Sequence, residues 1–138
     1  GTAGAIGPGL PFAAAAKLAF PDAPVVAMLG AGTFGFHMSE LDTAVRHKLA
    51  YVAVVGNDAC WNAEYQIQLR SYGAARAHGL DLLPTRYDRV AEGFGAHGEY
   101  VERPAELPLA LERSARAGRM ACVNVMIERL PAPTFRRG

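Results

Sequence analysis

Short continuous apolar runs alternate with segments of helical periodicity along this chain, and this alternation most limits the folds it can adopt. The runs 25–29, 51–56 and 121–127 have the length and composition of strands that are covered on both faces, and 98–101 favours a further short strand. Strands that alternate with helices form parallel sheets through right-handed crossovers. We therefore predict an α/β fold of three layers, a doubly wound and mainly parallel sheet with helices on both faces.

Helical signals fill most of the segments between these runs. We predict helices over residues 10–20, 39–48, 85–93 and 104–117. Ser39 with Asp42 gives a weak capping-box signal for the second of them. The segment 57–80 is predicted to begin as a loop and to continue as irregular, partly helical chain.

The length of 138 residues suits a single domain with a substantial core. We predict one domain over residues 1–130 and a loose tail over residues 131–138. The sequence opens on Gly1 without an initiator methionine, which predicts an excised piece of a longer polypeptide.

Charge and composition exclude several classes of partner. Lys and Arg total 14 against 13 Asp and Glu, and the basic residues are scattered, so we expect no binding to nucleic acid. No apolar run approaches the roughly 18 residues that a membrane span needs, so we expect no membrane partner. Cys60 and Cys122 lack a metal-type spacing, which favours a reducing compartment and a cytoplasmic location.

A glycine-rich segment follows the first apolar run and raises the question of phosphate binding. Gly30, Gly32 and Gly35 form the pattern G-x-G-x-x-G, which occurs in dinucleotide-binding folds but is weak evidence alone. We expect a tight turn here and a helix only from Ser39, which is late for a dinucleotide fold. Three interpretations stay open: a nicotinamide-dinucleotide loop, another diphosphate loop, or glycines that merely make a turn.

Three motifs taken together favour one of these interpretations. They are "GAIG" at residues 4–7, "GAG" at 30–32 and "NDACWN" at 57–62. With them, the segment 4–62 closely resembles the C-terminal diphosphate-binding domain of thiamine diphosphate-dependent enzymes of the acetolactate synthase and pyruvate decarboxylase-like family. The resemblance continues more loosely to Ile127.

The resemblance implies a magnesium ion that joins the cofactor diphosphate to the protein. The family motif is G-D-G followed some two dozen residues later by Asn-Asn or Asn-Asp, and here Asn57 follows Ala31 by 26 residues. By this resemblance the Asn57 side chain and the Ala59 carbonyl would be metal ligands. Ala31 stands where the family has aspartate, so one ligand is lost, although Asp58 could substitute in part.

The resemblance also implies contacts with thiamine diphosphate itself. Ile6 would wedge between the two cofactor rings, and the Gly4 carbonyl would accept a hydrogen bond from the aminopyrimidine. The remaining cofactor contacts would come from Gly30, Gly32, Thr33, Phe34, Cys60 and Trp61. Asn62 and Glu64 would face the substrate.

The implied activity is cleavage or formation of carbon–carbon bonds in 2-oxo acids. A reaction of the hydroxyacyl-CoA lyase type is a closely related alternative, because "GNDACW" departs from the Asn-Asn-Gly pattern common in acetolactate synthases. No catalytic residue is assigned in this chain. The activating glutamate is expected in a separate pyrimidine-binding domain, usually of a neighbouring subunit, which implies a homo-oligomer, a dimer or tetramer.

Two other functions stay open from the sequence. Ala31 favours a relative that is catalytically impaired or non-catalytic and has a structural or assembly role. The glycine pattern leaves a nicotinamide-dependent dehydrogenase domain as the third hypothesis.

Overall fold

Four parallel strands form one sheet at the centre of the molecule. The computed structural model describes residues 4–132. The strands are β1 (Val26–Gly30), β2 (Val52–Asn57), β3 (His97–Val101) and β4 (Ala121–Met126), in the spatial order β1-β2-β4-β3. All neighbouring pairs are parallel. This arrangement confirms the predicted α/β class, the strand at each of the three apolar runs and the further short strand predicted at 98–101.

Six α-helices connect and flank the strands. They are α1 (Gly9–Ala19), α2 (Ala31–Phe36), α3 (Glu40–Arg46), α4 (Asn62–Tyr72), α5 (Tyr87–Gly93) and α6 (Leu107–Arg116), with short 3₁₀ turns at Ala74–Arg76 and Pro104–Glu106. The four predicted helices are present, with ends that differ by a few residues. The helix α4 lies in the segment predicted as loop and partly helical chain.

The glycine-rich segment differs from its prediction. It is not a turn before a late helix, because α2 begins at Ala31, directly after β1. Ala31 and Phe34 are buried in the core, and this burial offsets the poor helix propensity of the glycines. Ser39 makes no capping hydrogen bond, so the predicted capping box is wrong, and α3 follows a residue that is itself helical.

The two faces of the sheet are covered unequally. One face packs against α1, α2, α3 and α5 around a core that includes Phe34, Leu41 and Tyr51. The other face packs against α6, which lies over β3 and β4. Val26 and Met28 on β1 are 59% and 82% exposed, so the second face is bare beside β1.

No helix within residues 4–132 has both the length and the apolar character needed to cross a bilayer. The predicted tail lies mostly outside the described residues, since 133–138 are not among them. The domain boundary at residue 130 stays a prediction.

Candidate functional site

The first and second strands end side by side and place two loops against each other. Gly30 of β1 is in register with Gly56 of β2. Beyond this pair lies a cleft with a volume of about 230 Å³. Its lining includes the predicted site residues Ile6, Gly30, Ala31, Gly32, Thr33, Cys60, Trp61, Asn62 and Glu64. The structure therefore brings most of the predicted residues together at one place.

The wall formed by α2 is made of small residues and free backbone groups. Gly30 is the N-cap residue of α2, and no side chain caps the N–H groups of its first turn. A Cβ atom added to Gly30 would meet nothing within 4 Å. This wall is therefore open enough for a ligand to approach the backbone closely.

Trp61 forms the opposing wall and explains the second glycine. A Cβ atom on Gly32 would lie only 2.3 Å from Cζ3 of the Trp61 ring. The same indole makes an edge contact with Phe36, with ring centroids 5.6 Å apart. Gly32 is therefore required for the packing of Trp61 across the cleft, a role that the sequence pattern did not reveal.

Some predicted cofactor contacts lie elsewhere. Phe34 is fully buried and packs edge-on against Tyr87 at a centroid distance of 5.1 Å. Gly4 is exposed, has a φ of +68° and is not part of the cleft lining. Ile6 does line the cleft and is 47% exposed, which distinguishes it from an ordinary core residue.

The Asn57 amide is turned into the protein and away from the cleft. Asn57 is fully buried, and its Nδ2 donates to the Thr85 carbonyl at 2.9 Å and to Oδ1 of Asn124 at 3.2 Å. Its Oδ1 accepts the Ala59 N–H at 3.1 Å. The predicted role of Asn57 as a metal ligand gains no support from this arrangement and stays a prediction.

The Ala59 carbonyl is also engaged. It accepts the Leu82 N–H at 2.8 Å and Nη2 of Arg129 at 3.1 Å. A guanidinium at this distance disfavours a second cation at the same oxygen. The predicted metal contact of Ala59 therefore gains no support either.

Asp58 is the acidic residue of this loop, and it is part of the cleft lining. Its Oδ1 accepts the Cys60 N–H at 3.2 Å. The sequence offered only a weak signal for it, since Asp58 directly follows the asparagine of the family motif. Burial is the main cause that raises the pKa of the neighbouring Cys60 thiol, so this thiol is protonated at neutral pH.

A complete metal cage of protein side chains is absent from the described part of the chain. Residues 4–132 contain no group of three or more His, Cys, Asp or Glu side chains placed to hold an ion. Any cation at Asp58 would need ligands from a bound anion and from water, which is the usual arrangement for Mg²⁺.

A buried carboxylate lies on α5, outside the cleft lining, and accepts a hydrogen bond from Asn124. Asp88 is 3% exposed and accepts Nε and Nη2 of Arg86 at 2.9 and 2.7 Å. Burial alone would raise the pKa of Asp88, but hydrogen bonds from Arg86 and Asn124 outweigh it and hold this pKa below its usual range. Asp88 therefore stabilises the fold while it is ionised.

We expect Asp88→Asn to make the free energy of unfolding depend less steeply on pH below neutrality. A depressed pKa contributes stability above the unfolded value of about 4, and this contribution is lost as the pH falls through the folded value. Urea unfolding between about pH 3 and 7 measures the slope. Asp22→Asn, at an exposed carboxylate, is the control for the loss of one negative charge.

Comparisons with known proteins agree with this geometry. Residues 1–125 match the family model described as "Thiamine pyrophosphate enzyme, C-terminal TPP binding domain". A Mycobacterium bovis protein named "Probable acetolactate synthase" is 45% identical over 129 residues, which are 93% of this chain and 23% of that protein. Human 2-hydroxyacyl-CoA lyase 2 is 39% identical over 134 residues, covering 94% of this chain and 21% of that protein.

A solved structure shows the same likeness. The thiamine diphosphate-dependent 4-hydroxybenzoylformate decarboxylase of Rhodococcus jostii RHA1 matches with a TM-score of 0.82 and 25% identity, over 89% of this chain and 23% of that chain. The chain thus spans less than a quarter of the length of each of these relatives. The family match replaces the dinucleotide-binding hypothesis. The chain belongs to the thiamine pyrophosphate enzyme family, and it matches the C-terminal, cofactor-binding domain of that family.

Proposed function

We propose that this chain forms the half of an active site that binds the diphosphate of thiamine diphosphate together with Mg²⁺. The reaction would be carbon–carbon bond cleavage or ligation of a 2-oxo acid or an acyl-CoA-type substrate. The observation that carries this proposal is the single cleft in which the Gly30–Thr33 wall, Asp58 and Ile6 meet.

The residues present fit a diphosphate with its cation. The uncapped N–H groups at the start of α2 are donors for phosphate oxygens. Asp58 offers a carboxylate oxygen, the ligand that Mg²⁺ prefers, and the missing ligands would come from the diphosphate and water. We propose Asp58, in place of Asn57, as the side-chain ligand of the cation.

The roles of this chain would be to bind and to orient. When bound, the thiazolium ring of the cofactor supplies a carbanion and an electron sink. Ile6 would hold the cofactor in its bent form by filling the space between its two rings. Trp61, packed on Gly32, would close the cleft on the opposite side and exclude water. Asn62 and Glu64 line the same cleft and are proposed to face the substrate.

The rest of the site would come from outside these residues. We propose that a pyrimidine-binding domain of the same or a neighbouring subunit supplies the activating glutamate, in a homo-oligomer located in the cytoplasm. The relatives are several times longer than this chain, which leaves ample length for such a domain in a protein of their kind.

Calorimetric titration of the chain with thiamine diphosphate, with and without Mg²⁺, tests this function. We expect binding that depends on Mg²⁺ and that weakens by about tenfold or more in Asp58→Asn, since a charged ligand is lost. The asparagine can still accept the Cys60 N–H, so the loop is preserved. Asp22→Asn, at a residue outside the cleft lining, should bind as the wild type does.

A second function is favoured by Ala31. This residue is part of the cleft lining and has no carboxylate where the family has one, which weakens any cation site. If neither the wild type nor a variant with aspartate at this position binds the cofactor, the chain is a non-catalytic relative with an assembly role.

A further inference from the structure

Three buried polar side chains connect the cleft loop to α5, which packs on the same face of the sheet. Asn57 at the end of β2 and Asn124 in β4 are fully buried, and Asp88 at the start of α5 is 3% exposed. Polar groups of this kind are costly in a core unless each one is hydrogen-bonded, and here each one is. We call these three side chains the buried relay.

The buried relay has one direction of donation, which Asp88 fixes together with the Thr85 carbonyl. That carbonyl accepts Nδ2 of Asn57 at 2.9 Å and Nδ2 of Asn124 at 3.3 Å. An ionised carboxylate only accepts, so Asn124 must present its amide N–H₂, which donates to Oδ1 of Asp88 at 3.3 Å. Oδ1 of Asn124 then faces Asn57 and accepts from its Nδ2 at 3.2 Å.

The same direction continues into the loop. With Nδ2 committed to Asn124 and to the Thr85 carbonyl, Asn57 can offer only Oδ1 to the loop, where it accepts the Ala59 N–H. The groups at the two ends require the same direction of donation. The Asp88 carboxylate at one end can only accept, and the Ala59 N–H at the other end can only donate.

The loop needs this support because its backbone is strained. Ala59 has a φ of +51°, a left-handed conformation that is unfavourable for a residue with a side chain. The bond from its N–H to Asn57 helps to hold this conformation. The residues on either side are linked by the bond from the Cys60 N–H to Asp58, which is part of the cleft lining.

We propose that the buried relay is a positioning device, in which Asp88 and Asn124 orient Asn57 and thereby hold Asp58 in place for the cation, without touching the ligand themselves. This inference rests on the proposed function for its effect on binding. Its effect on the loop itself does not depend on any ligand.

The binding test uses Asp88→Asn in the 138-residue chain. An amide at position 88 keeps the volume but removes the charged acceptor of Asn124, so Asn124 and Asn57 are held less firmly. We expect the affinity for Mg²⁺, titrated at constant thiamine diphosphate, to fall by about tenfold, as for other groups that support a metal ligand. In a variant that already carries Asp58→Asn, adding Asp88→Asn should lower the Mg²⁺ affinity little further. Two results would overturn the proposal. One is an unchanged Mg²⁺ affinity in Asp88→Asn, and the other is the same loss of about tenfold when Asp88→Asn is added to Asp58→Asn.

The matched control is Glu99→Gln. Glu99 is another shielded carboxylate held by an arginine, Arg113, at 2.8 and 2.7 Å, but its hydrogen bonds do not lead to the cleft loop. Both variants remove a shielded carboxylate with its bonds to an arginine, and both should lower thermal stability. Only Asp88→Asn should weaken Mg²⁺ binding. Equal weakening in both variants would mean that the lower stability of the fold, and not the buried relay, causes the loss.

A measurement without ligand separates failure of the relay from failure of the proposed function. Amide hydrogen exchange of Ala59 and Cys60, followed by NMR, should accelerate about tenfold or more in Asp88→Asn and stay at the wild-type rate in Glu99→Gln. If the wild type binds no cofactor but exchange accelerates, the relay stands and the cofactor proposal fails. If exchange is unchanged, the relay is wrong, whatever the binding result.

Discussion

Replacing Ala31 with aspartate is expected to strengthen Mg²⁺-dependent binding of thiamine diphosphate by about ten- to hundredfold. One added charged ligand is worth about 1.5–3 kcal/mol, and Ala31 lines the same cleft as Asp58. Ala31 is only 2% exposed, so without the cation the new carboxylate would be poorly solvated. We therefore also expect the ligand-free variant to unfold at a lower temperature and to regain stability on addition of Mg²⁺ and cofactor.

The control for this prediction places the same charge on another wall of the cleft. Ala63 on α4 also lines the cleft, and Ala63→Asp adds a carboxylate there. If both variants bind thiamine diphosphate with Mg²⁺ more tightly by the same factor, the cause is the added negative charge in the cleft and not a ligand at position 31. No gain in Ala31→Asp would contradict a cation site at the glycine wall.

Replacing Gly32 with alanine should displace the Trp61 indole and damage the cleft. The new methyl group would lie 2.3 Å from the ring, an overlap that a side chain must move to relieve. Overpacking lowers the free energy of unfolding by about 1–3 kcal/mol. The better helix propensity of alanine over glycine offsets up to about 1 kcal/mol of this loss. We expect a net loss of about 1–2 kcal/mol in the free energy of unfolding. Trp61 is the single tryptophan, so its emission reports the displacement directly.

Gly30→Ala is the matched control, because its added methyl group meets nothing within 4 Å. Its stability should stay within about 0.5 kcal/mol of the wild type, and its tryptophan emission should not shift. A second variant, Gly32→Ala with Trp61→Leu, should recover stability relative to Gly32→Ala, since the smaller side chain leaves room. If Gly32→Ala keeps wild-type emission and stability, the assigned contact between Gly32 and Trp61 is wrong.

The sequence predicted the sheet well because its signal is local. Runs such as 51–56 are apolar throughout, and only a strand buried on both faces needs such a composition at that length. The glycine segment was misread because its helix depends on tertiary burial. Ala31 and Phe34 are held by the core, and glycine propensity alone predicts a turn there.

The cleft was predicted in position but not in detail. The family resemblance named Gly30 and Trp61 as contacts of one cofactor, and parallel strands place the loops that follow them at one edge of the sheet. The orientation of Asn57 could not be predicted, because it depends on Asn124 and Asp88, which are distant in sequence. The Arg129 contact that occupies the Ala59 carbonyl is equally non-local.

The strand order has a consequence for biosynthesis. β4 is the last strand in sequence, yet it lies between β2 and β3 and is the neighbour of both. β3 therefore has no pairing partner until the ribosome has released the chain through Met126. Until that moment a nascent chain holds an unfinished sheet, and such open strand edges attract chaperones and foreign strands.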